Sequence, residues 1–215
     1  MVILGLDPSL TNFGWAVHDT EAEGKARCVA RGRWQTKTTQ LFVERYMEMR
    51  SRLKSLILEH NIERVGIEYP IFNALWSEGM YGLFLYSCEA LYESKVDVVF
   101  FTPPQVKALA RESVGRPQGW KMLKADMVDT AKKDTGIGRW NHNEADAYLV
   151  ARSAGRFFLH LDSVLETESL TKVETAMFCK EHTFSRGKKA GQTIKSGLIH
   201  REDDRFFLWS SKETN

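Results

Sequence analysis

Short apolar runs separated by polar turns open the chain and predict three antiparallel β-strands. Val2–Leu6 and Phe13–Val17 are joined by Pro8–Asn12, whose residues favour a turn, so these segments predict a β-hairpin. Arg27–Trp34 follows a second polar turn and predicts the third strand. Gly14, near the start of the second strand, indicates that another part of the chain approaches the backbone closely there.

Helical spacing then alternates with two further strands. From Leu41 to His60, apolar residues recur every three or four positions among charged ones, without Gly or Pro, which predicts a helix. Val65–Tyr69 and Val96–Phe101 are apolar runs typical of strands, and Ala74–Ser94 predicts a second long helix between them. Three antiparallel strands followed by strand–helix alternation predict an α/β fold with a mixed sheet.

The second half of the chain predicts more helices around one polar loop. Helices are predicted at Pro103–Arg111, Lys121–Asp134 and Asn143–Leu161, and the Gly- and Pro-bearing segment Glu112–Lys121 predicts a mobile loop. Beyond residue 161 the composition becomes polar and then basic. We therefore divide the chain into a domain at residues 1–161 and an extension of unknown role at residues 162–215. A short strand is predicted near the end of that extension, at Arg205–Trp209.

Composition narrows the class of protein. The chain has 215 residues, of which 43% are hydrophobic and 27% charged, as is ordinary for a globular protein. No apolar segment approaches the ~20 residues that cross a bilayer, and Met1–Leu6 lacks the basic flank of a signal peptide. Cys28, Cys88 and Cys179 form no CxxC pair, which disfavours a disulfide framework or a zinc ribbon and suits a reducing compartment. We expect a cytoplasmic protein with no membrane partner.

Three acidic residues stand in otherwise apolar surroundings. Asp7 ends the first strand, Glu68 ends the fourth in VGIEYP, and Asp146 precedes an apolar helical segment in NHNEADAYLVA. If the first and fourth strands are neighbours, Asp7 and Glu68 project from the same edge, and a helix on that face brings Asp146 to them. Carboxylates that converge without lysines repel one another unless a divalent cation lies among them, and oxygen ligands favour Mg²⁺ or Mn²⁺.

Each acid also has a structural interpretation. A single acid at the end of a strand is most often a turn former, and the spacing of Asn143 and Asp146 resembles a reciprocal helix cap. The hypothesis of a metal site therefore depends on three acids in three separate apolar contexts.

At these residues the sequence resembles a known family. LGLDPSLTNFGWAV, VGIEYP and ADAYLVA are similar to the first, second and last motifs of RuvC-type Holliday junction resolvases, in the ribonuclease H-like superfamily. TPPQVKALA and KMLKADMVDTAKK resemble that family's basic stretch, and the resemblance runs from Met1 to about Arg156. It implies a ribonuclease H-like fold with a five-stranded mixed sheet flanked by α-helices, and residues 1–161 as the nuclease domain. A member of phage or mobile-element type, working in a bacterial or phage-infected host cytoplasm, is expected.

The resemblance also implies an active site. Asp7, Glu68 and Asp146 correspond to the family's acidic ligands of two Mg²⁺ ions, for which Mn²⁺ would substitute, and Asp7 would bridge both ions. Lys107 and Lys124, with Lys121 as the alternative to Lys124, correspond to family lysines near the scissile or flanking phosphates, where a cation stabilises transition-state charge.

The fourth ligand departs from the family's pattern. The family usually has Asp or His three residues before the last Asp, where this chain has Asn143, whose amide oxygen brings no charge. We rank Asn143 first as a catalytic-site ligand, then Glu144, then His142.

Contacts with DNA are expected in the loop and in the basic helices. Phe72, shortly after Glu68, is a candidate wedge between bases with a core role as the alternative, and Trp120 is a candidate stacking residue. The other expected contacts are basic side chains that bind phosphates without selecting a sequence: Lys107, Arg111, Arg116, Lys121 and Lys124.

These inferences lead to one functional expectation and two alternatives. We expect a Mg²⁺-dependent crossover junction endodeoxyribonuclease that cuts four-way DNA symmetrically as a homodimer. By the resemblance, the second long helix would form the dimer interface, with Met80, Leu83, Phe84, Leu85 and Leu91 as its apolar residues. The alternatives are an endonuclease that cuts flaps and Y-forks less selectively, and a junction-binding protein without catalysis.

Overall fold

The structure is a computed structural model that describes residues 1–69 and 78–179 and, after them, Gly191 and the backbone of four short strands. The strands are β1 (Val2–Asp7), β2 (Asn12–Asp19), β3 (Cys28–Gln35), β4 (Arg64–Glu68), β5 (Asp97–Phe101), β6 (Glu181–Thr183), β7 (Thr193–Lys195), β8 (Ile199–Glu202) and β9 (Arg205–Leu208). The α-helices are α1 (Phe42–Glu59), α2 (Glu78–Glu93), α3 (Pro103–Ser113), α4 (Lys124–Thr135), α5 (His142–Leu161) and α6 (Lys172–Phe178). None of these helices is long and apolar enough to span a membrane.

The central sheet is mixed, as the sequence predicts. Its strand order is β3-β2-β1-β4-β5-β8-β9, with β1 antiparallel to β2 and parallel to β4, and β4 parallel to β5. The five strands expected from the resemblance are therefore confirmed. The extension adds β8, antiparallel to β5, and β9, which lies within the predicted terminal strand.

Helices cover both faces of the sheet, and each face has its own apolar core. One core lies under α3, α4, α5 and α6, with Tyr148 and Phe157 among its most buried side chains. The other lies under α1 and α2 and includes Leu53 and Leu83. The helix predicted at 121–134 begins instead at Lys124, because Asp126 accepts a hydrogen bond from the backbone N–H of Leu123 and caps the helix there. The start of the predicted helix at 74–94 falls partly outside the described residues.

A seam of small residues lets α5 approach the sheet closely. A Cβ atom on Gly5 would stand 2.0 Å from the carbonyl oxygen of Ala147. A Cβ atom on Gly14 would stand 2.2 Å from the carbonyl oxygen of Asn143, so the close approach predicted at Gly14 is confirmed. Because Gly5 and Gly14 have no side chains, α5 can pack this close to β1 and β2.

The first part of the extension packs on the domain that precedes it. Phe178 of α6 is buried in the same core as Phe157, with ring centroids 5.6 Å apart. The Glu174 carboxylate accepts hydrogen bonds from two nitrogens of the Arg156 guanidinium, Nε at 2.5 Å and Nη2 at 2.7 Å. The predicted boundary at residue 161 thus falls between helices that share one core.

Replacing Glu174 by alanine is expected to lower the free energy of unfolding by about 2 kcal/mol. Only 8% of the Glu174 side chain is exposed. Removing its carboxylate leaves the half-buried guanidinium of Arg156 without an ionic partner. Urea unfolding followed by circular dichroism measures the change. Arg52→Ala is the matched control, since it breaks the more exposed Glu48–Arg52 pair and should cost less than about 0.5 kcal/mol. Equal effects of the two substitutions would contradict the expectation.

Candidate active site

The strand register places the first two predicted acids side by side. In the parallel β1–β4 pair, Leu6 lies opposite Ile67, so the next residues, Asp7 and Glu68, leave adjacent strands at the same edge. Residues opposite each other in a parallel pair project to the same face, and α5 covers that face. The sequence hypothesis that β1 and β4 are neighbours is therefore confirmed.

A single cavity collects most of the predicted catalytic residues. It has a volume of about 290 Å³ and is lined by Asp7, Ser9, Glu68, Pro103, Lys107, Lys124, Met127, Asn143 and Asp146. Asp146 reaches it from the first turns of α5, Lys107 from α3 and Lys124 from the start of α4. Ser9, Pro103 and Met127 also line the cavity but are not predicted from the sequence, although the position of Ser9, two residues after Asp7, is a usable signal.

The three carboxylates stand in an environment that disfavours their charge. Burial, followed by the negative charges of Glu68 and Asp146, raises the pKa of Asp7 well above its ordinary value, against the opposing effect of Lys124. Burial and the charge of Asp146 raise the pKa of Glu68 to about 7, while Lys107 acts to lower it. Burial raises the pKa of Asp146 to about 6, against Lys107 and Lys124. Protein atoms thus surround most of each carboxylate, and a small exposed area opens onto the cavity.

A comparison with a second cavity shows what is unusual about these acids. That cavity, of about 370 Å³, contains Asp134, whose carboxylate is 2.9 Å from Nη1 of Arg27 and 3.3 Å from Nε of Arg152. The hydroxyl of Tyr148 also donates to Asp134, at 2.5 Å. In contrast, within the described part of the chain neither Asp7, Glu68 nor Asp146 has a Lys or Arg nitrogen within 4.0 Å. Asp134 is neutralised by the protein, whereas the three predicted acids are not.

The donor set fits a hard divalent ion, although the protein alone does not enclose one. Among residues 1–69 and 78–179, no three Asp, Glu, His or Cys side chains stand close enough to surround a metal ion by themselves. Mg²⁺ is usually held by one or two carboxylates, with water and substrate phosphates completing the shell. Partly separated carboxylates with raised pKa values are consistent with such an open site.

Asn143 has a fixed orientation beside these acids. Its Nδ2 donates a hydrogen bond of 2.5 Å to the backbone carbonyl of Asn12, at the start of β2, and the residue is only 8% exposed. Because the amide nitrogen is bound to β2, Oδ1 is the atom of Asn143 that remains to act as an acceptor or ligand. Asn12, which no sequence pattern had indicated, is therefore part of the support of the site.

The helix cap at the start of α5 differs from the one weighed in the sequence. Asn141, not Asn143, is the N-cap, and its Oδ1 accepts from the backbone N–H of Asn143 at 3.0 Å. Glu144 completes this capping box and also lies 3.4 Å from Nε of Arg31. The interpretation of Asn143 and Asp146 as a reciprocal cap is wrong, and Asp146 does not take part in the cap.

Two of the three alternative fourth ligands lie outside the cavity. Glu144 is held by Asn141 and Arg31, and neither Glu144 nor His142 lines the cavity, whereas Asn143 does. Burial, with the charges of Lys124 and Arg33, lowers the pKa of His142.

The expected DNA contacts outside the cavity are separated from the acids. Arg116 and Trp120 lie in the loop after α3, where the Arg116 guanidinium stacks over the indole ring at 4.6 Å. Trp120 and Lys121 are exposed, Arg111 is partly buried in the last turn of α3, and none of the four lines the cavity. Phe72 lies outside the described residues.

Comparison with protein families identifies the group to which this arrangement belongs. Residues 3–133, more than half of the chain, match the family model described as crossover junction endodeoxyribonuclease RuvC. The chain belongs to the RuvC family. The matched residues include Asp7, Glu68, Lys107 and Lys124, while Asn143 and Asp146 lie beyond them.

Individual RuvC proteins are similar over part of the chain. A crossover junction endodeoxyribonuclease RuvC from Prochlorococcus marinus (strain NATL2A) is 37% identical over 72 residues, which cover 34% of this chain and 46% of that protein. The chain thus matches about half the length of this curated relative. The structure of Thermus thermophilus RuvC superposes with a TM-score of 0.61 at 23% identity, covering 75% of this chain and 97% of that one.

A second Thermus thermophilus RuvC structure, in complex with a Holliday junction substrate, has a TM-score of 0.57 at 21% identity. It covers 70% of this chain and 90% of that one. At these identities the likeness establishes the shared RuvC fold.

Proposed function

We propose that the chain is a divalent-metal-dependent endonuclease that resolves Holliday junctions by symmetrical hydrolysis of phosphodiester bonds. One observation carries the proposal: Asp7, Glu68 and Asp146 line one cavity with raised pKa values and without the ion pairs that neutralise Asp134. Membership of the RuvC family, and the RuvC structure bound to a Holliday junction substrate, support the same activity. The nuclease domain would comprise residues 1–161, and three dispersed free cysteines support a cytoplasmic location.

The chain's own residues would hold two Mg²⁺ ions, with Mn²⁺ as a substitute. Asp7, Glu68 and Asp146 would supply carboxylate oxygens and Asn143 its Oδ1. When bound, such ions supply an activated water and stabilise the charge that develops on the attacking and leaving oxygens. Lys107 and Lys124 lie at the same cavity and would bind the phosphate, where their charges favour the transition state.

Asn143 makes this site poorer in charge than one with four carboxylates. The hydrogen bond to the Asn12 carbonyl requires a donor at position 143, and a carboxylate there would face a carbonyl oxygen instead. We infer that the ion nearest Asn143 binds more weakly than the other, because an amide oxygen brings no net charge. Glu144 is left out of the proposed ligand set because the helix cap and Arg31 occupy it.

The DNA would extend from the cavity over the loop after α3. Arg111, Arg116 and Lys121 would bind phosphates, and Trp120, which is 43% exposed, offers a surface for stacking on a base. Phe72 remains a candidate wedge by resemblance alone.

A homodimer with twofold symmetry would hold two such sites at a fixed separation, so that each could cut one of two symmetric DNA strands. Along α2, Tyr81, Leu85 and Tyr92 form an exposed apolar face, with 40%, 61% and 48% of their surface exposed. Of the interface residues expected from the sequence, Leu83 and Leu91 are fully buried in the core of their own subunit and Phe84 is 7% exposed. We propose that Tyr81, Leu85 and Tyr92, rather than these three, face the partner.

Replacing Leu85 by aspartate is expected to convert the dimer into a monomer. A charge at the centre of an apolar interface must lose its hydration on association, which costs more than the contact gains. Sedimentation equilibrium gives the mass of each species. Val164→Asp is the control, since Val164 is 70% exposed and lies beyond α5, away from α2. A dimer that survives Leu85→Asp, or one that Val164→Asp dissociates equally well, would contradict the proposed interface.

A nicking assay on defined DNA substrates tests the proposed function. The wild-type chain is expected to cut a four-way junction at symmetric positions in Mg²⁺, and to leave linear duplex intact at moderate salt, where nonspecific phosphate binding weakens. Ca²⁺ in place of Mg²⁺ should allow binding without cutting. Equal cutting of flaps and Y-forks would support the broader branched-DNA nuclease, and binding without cutting in Mg²⁺ and Mn²⁺ would support a junction-binding protein.

A further inference from the structure

A chain of polar contacts links α5 to α3 through the first turn of α6. Arg156 of α5 donates to Glu174, whose Oε2 also accepts from the backbone N–H of Thr171 at 2.9 Å. The Thr171 hydroxyl donates to Oε2 of Glu112, and the backbone N–H of Val173 donates to Oε1 of the same carboxylate at 3.4 Å. Glu112 lies in the last turn of α3. The extension is therefore attached to both helices.

The two helices that α6 connects carry different parts of the candidate active site. Lys107 lies on α3, five residues before Glu112, and Asp146 lies on α5, ten residues before Arg156. Where α3 faces α5 at the level of Glu112 and Arg156, a cavity of about 220 Å³ separates them, and Thr171 and Glu174 form part of its wall. At this level α3 and α5 are therefore connected through α6 and do not pack directly against each other.

We propose that Thr171 and Glu112 are positioning residues, and that the extension uses them to hold α3 so that Lys107 stays directed over the acidic cavity. The inference rests on the proposed function, because it assigns Lys107 a task at the scissile phosphate. Lys107 is an exposed side chain with a long flexible stem, so the position of its ammonium depends on where α3 places its backbone. The contact between Thr171 and Glu112 acts about one and a half turns away along that helix.

A purely structural role of α6 predicts different behaviour from a positioning role. Thr171 is also the N-cap of α6, where its Oγ1 accepts from the backbone N–H of Glu174 at 3.2 Å. Aspartate is as good an N-cap as threonine, but it has no hydroxyl to donate and its charge repels Glu112. Thr171→Asp therefore keeps the cap of α6 but removes the hydroxyl bond to Glu112 and repels that carboxylate, which also weakens the longer bond from the Val173 N–H. Thr171→Ser keeps both the cap and the hydroxyl bond.

The first experiment is a double-mutant cycle on the full-length dimer. Single-turnover cleavage of a saturating four-way junction is expected to slow about tenfold in Thr171→Asp with an unchanged dissociation constant, and to be restored in Thr171→Ser. On a Lys107→Ala background, Thr171→Asp should cause no further decrease, since the two residues act through one group. Wild-type cleavage in Thr171→Asp, or an equal decrease with and without Lys107, would overturn the proposal.

The second experiment does not depend on cleavage. Amide hydrogen exchange in residues 105–113 of α3, in the DNA-free protein, is expected to accelerate in Thr171→Asp and to remain slow in Thr171→Ser. Unchanged exchange in Thr171→Asp overturns the link between α6 and α3, whether or not the protein cuts DNA. A wild-type chain that fails to nick any junction refutes the proposed function itself, even where exchange shows that α6 restrains α3.

Discussion

Asp7→Asn is expected to abolish junction cleavage, lowering the single-turnover rate by at least about 10³-fold, while leaving junction binding intact. Asp7 lines the same cavity as the other two acids, and the charges of both Glu68 and Asp146 raise its pKa. Replacing its carboxylate by an amide removes the charge proposed to be shared by two ions, but leaves the lysines and the loop that bind phosphates. Cleavage of a labelled four-way junction in Mg²⁺, and a binding titration in Ca²⁺, measure the two properties.

The same substitution should stabilise the metal-free protein at neutral pH. The ordinary pKa values of Glu68 and Asp146 are 4.5 and 3.8, and the fold raises them to about 7 and 6. At a pH between the ordinary and the raised pKa of each group, the folded state binds more protons than the unfolded state. The free energy of unfolding therefore falls as pH rises from about 4 to about 7. Asp7 has the same property: burial and the charges of Glu68 and Asp146 raise its pKa, so ionising it at pH 7.5 costs free energy in the folded state that it does not cost in the unfolded state. Asparagine removes that cost, so the free energy of unfolding at pH 7.5 should rise. Urea unfolding in EDTA at several pH values measures the gain.

Asp129→Asn is the matched control for both measurements. It makes the same chemical change on α4, where the side chain is 72% exposed, and should alter neither cleavage nor stability by a measurable amount. If Asp7→Asn cuts at the wild-type rate, or if it loses stability in EDTA, the assignment of Asp7 to a metal site fails.

Gly5→Ala is expected to have the largest effect on folding, lowering the free energy of unfolding by about 3 kcal/mol or more. The added Cβ would stand 2.0 Å from the Ala147 carbonyl oxygen and 2.5 Å from the backbone nitrogen of Ala151. These are backbone atoms of α5, which move only if the whole helix moves. The displacement would also carry Asp146 away from Asp7 and Glu68, so cleavage should fall in the folded fraction as well. Urea unfolding and a nicking assay below the unfolding midpoint measure both effects.

Gly138→Ala is the control for this substitution. Nothing lies within 4 Å of a Cβ built on Gly138, and its backbone does not have the positive φ that disfavours alanine. It should therefore change stability by less than about 0.5 kcal/mol. A Gly5→Ala protein as stable as Gly138→Ala would contradict the close contact between α5 and β1.

The local pattern of the sequence determined the order of the elements and the three acids. Alternation and helical spacing over short windows identify β1 to β5 and α1, because burial of one face imposes a period on neighbouring residues. An acid that interrupts such a run is visible without knowledge of the fold, as Asp7 and Glu68 were. The pairing of β1 with β4 was the condition on which the hypothesis of a metal site depended, and the register confirms it.

Only the tertiary structure decided which polar groups are available for chemistry. Glu144 and Asn143 are adjacent in sequence, yet Arg31 and the cap of α5 hold the first, and the Asn12 carbonyl, 131 residues earlier, orients the second. In the same way, packing on α1 and the sheet determined which apolar residues of α2 remain exposed, and contacts with α3 and α5 placed α6. Hydrogen bonds, ion pairs and burial of this kind depend on partners distant in sequence, so no short window of residues contains the information that selects them.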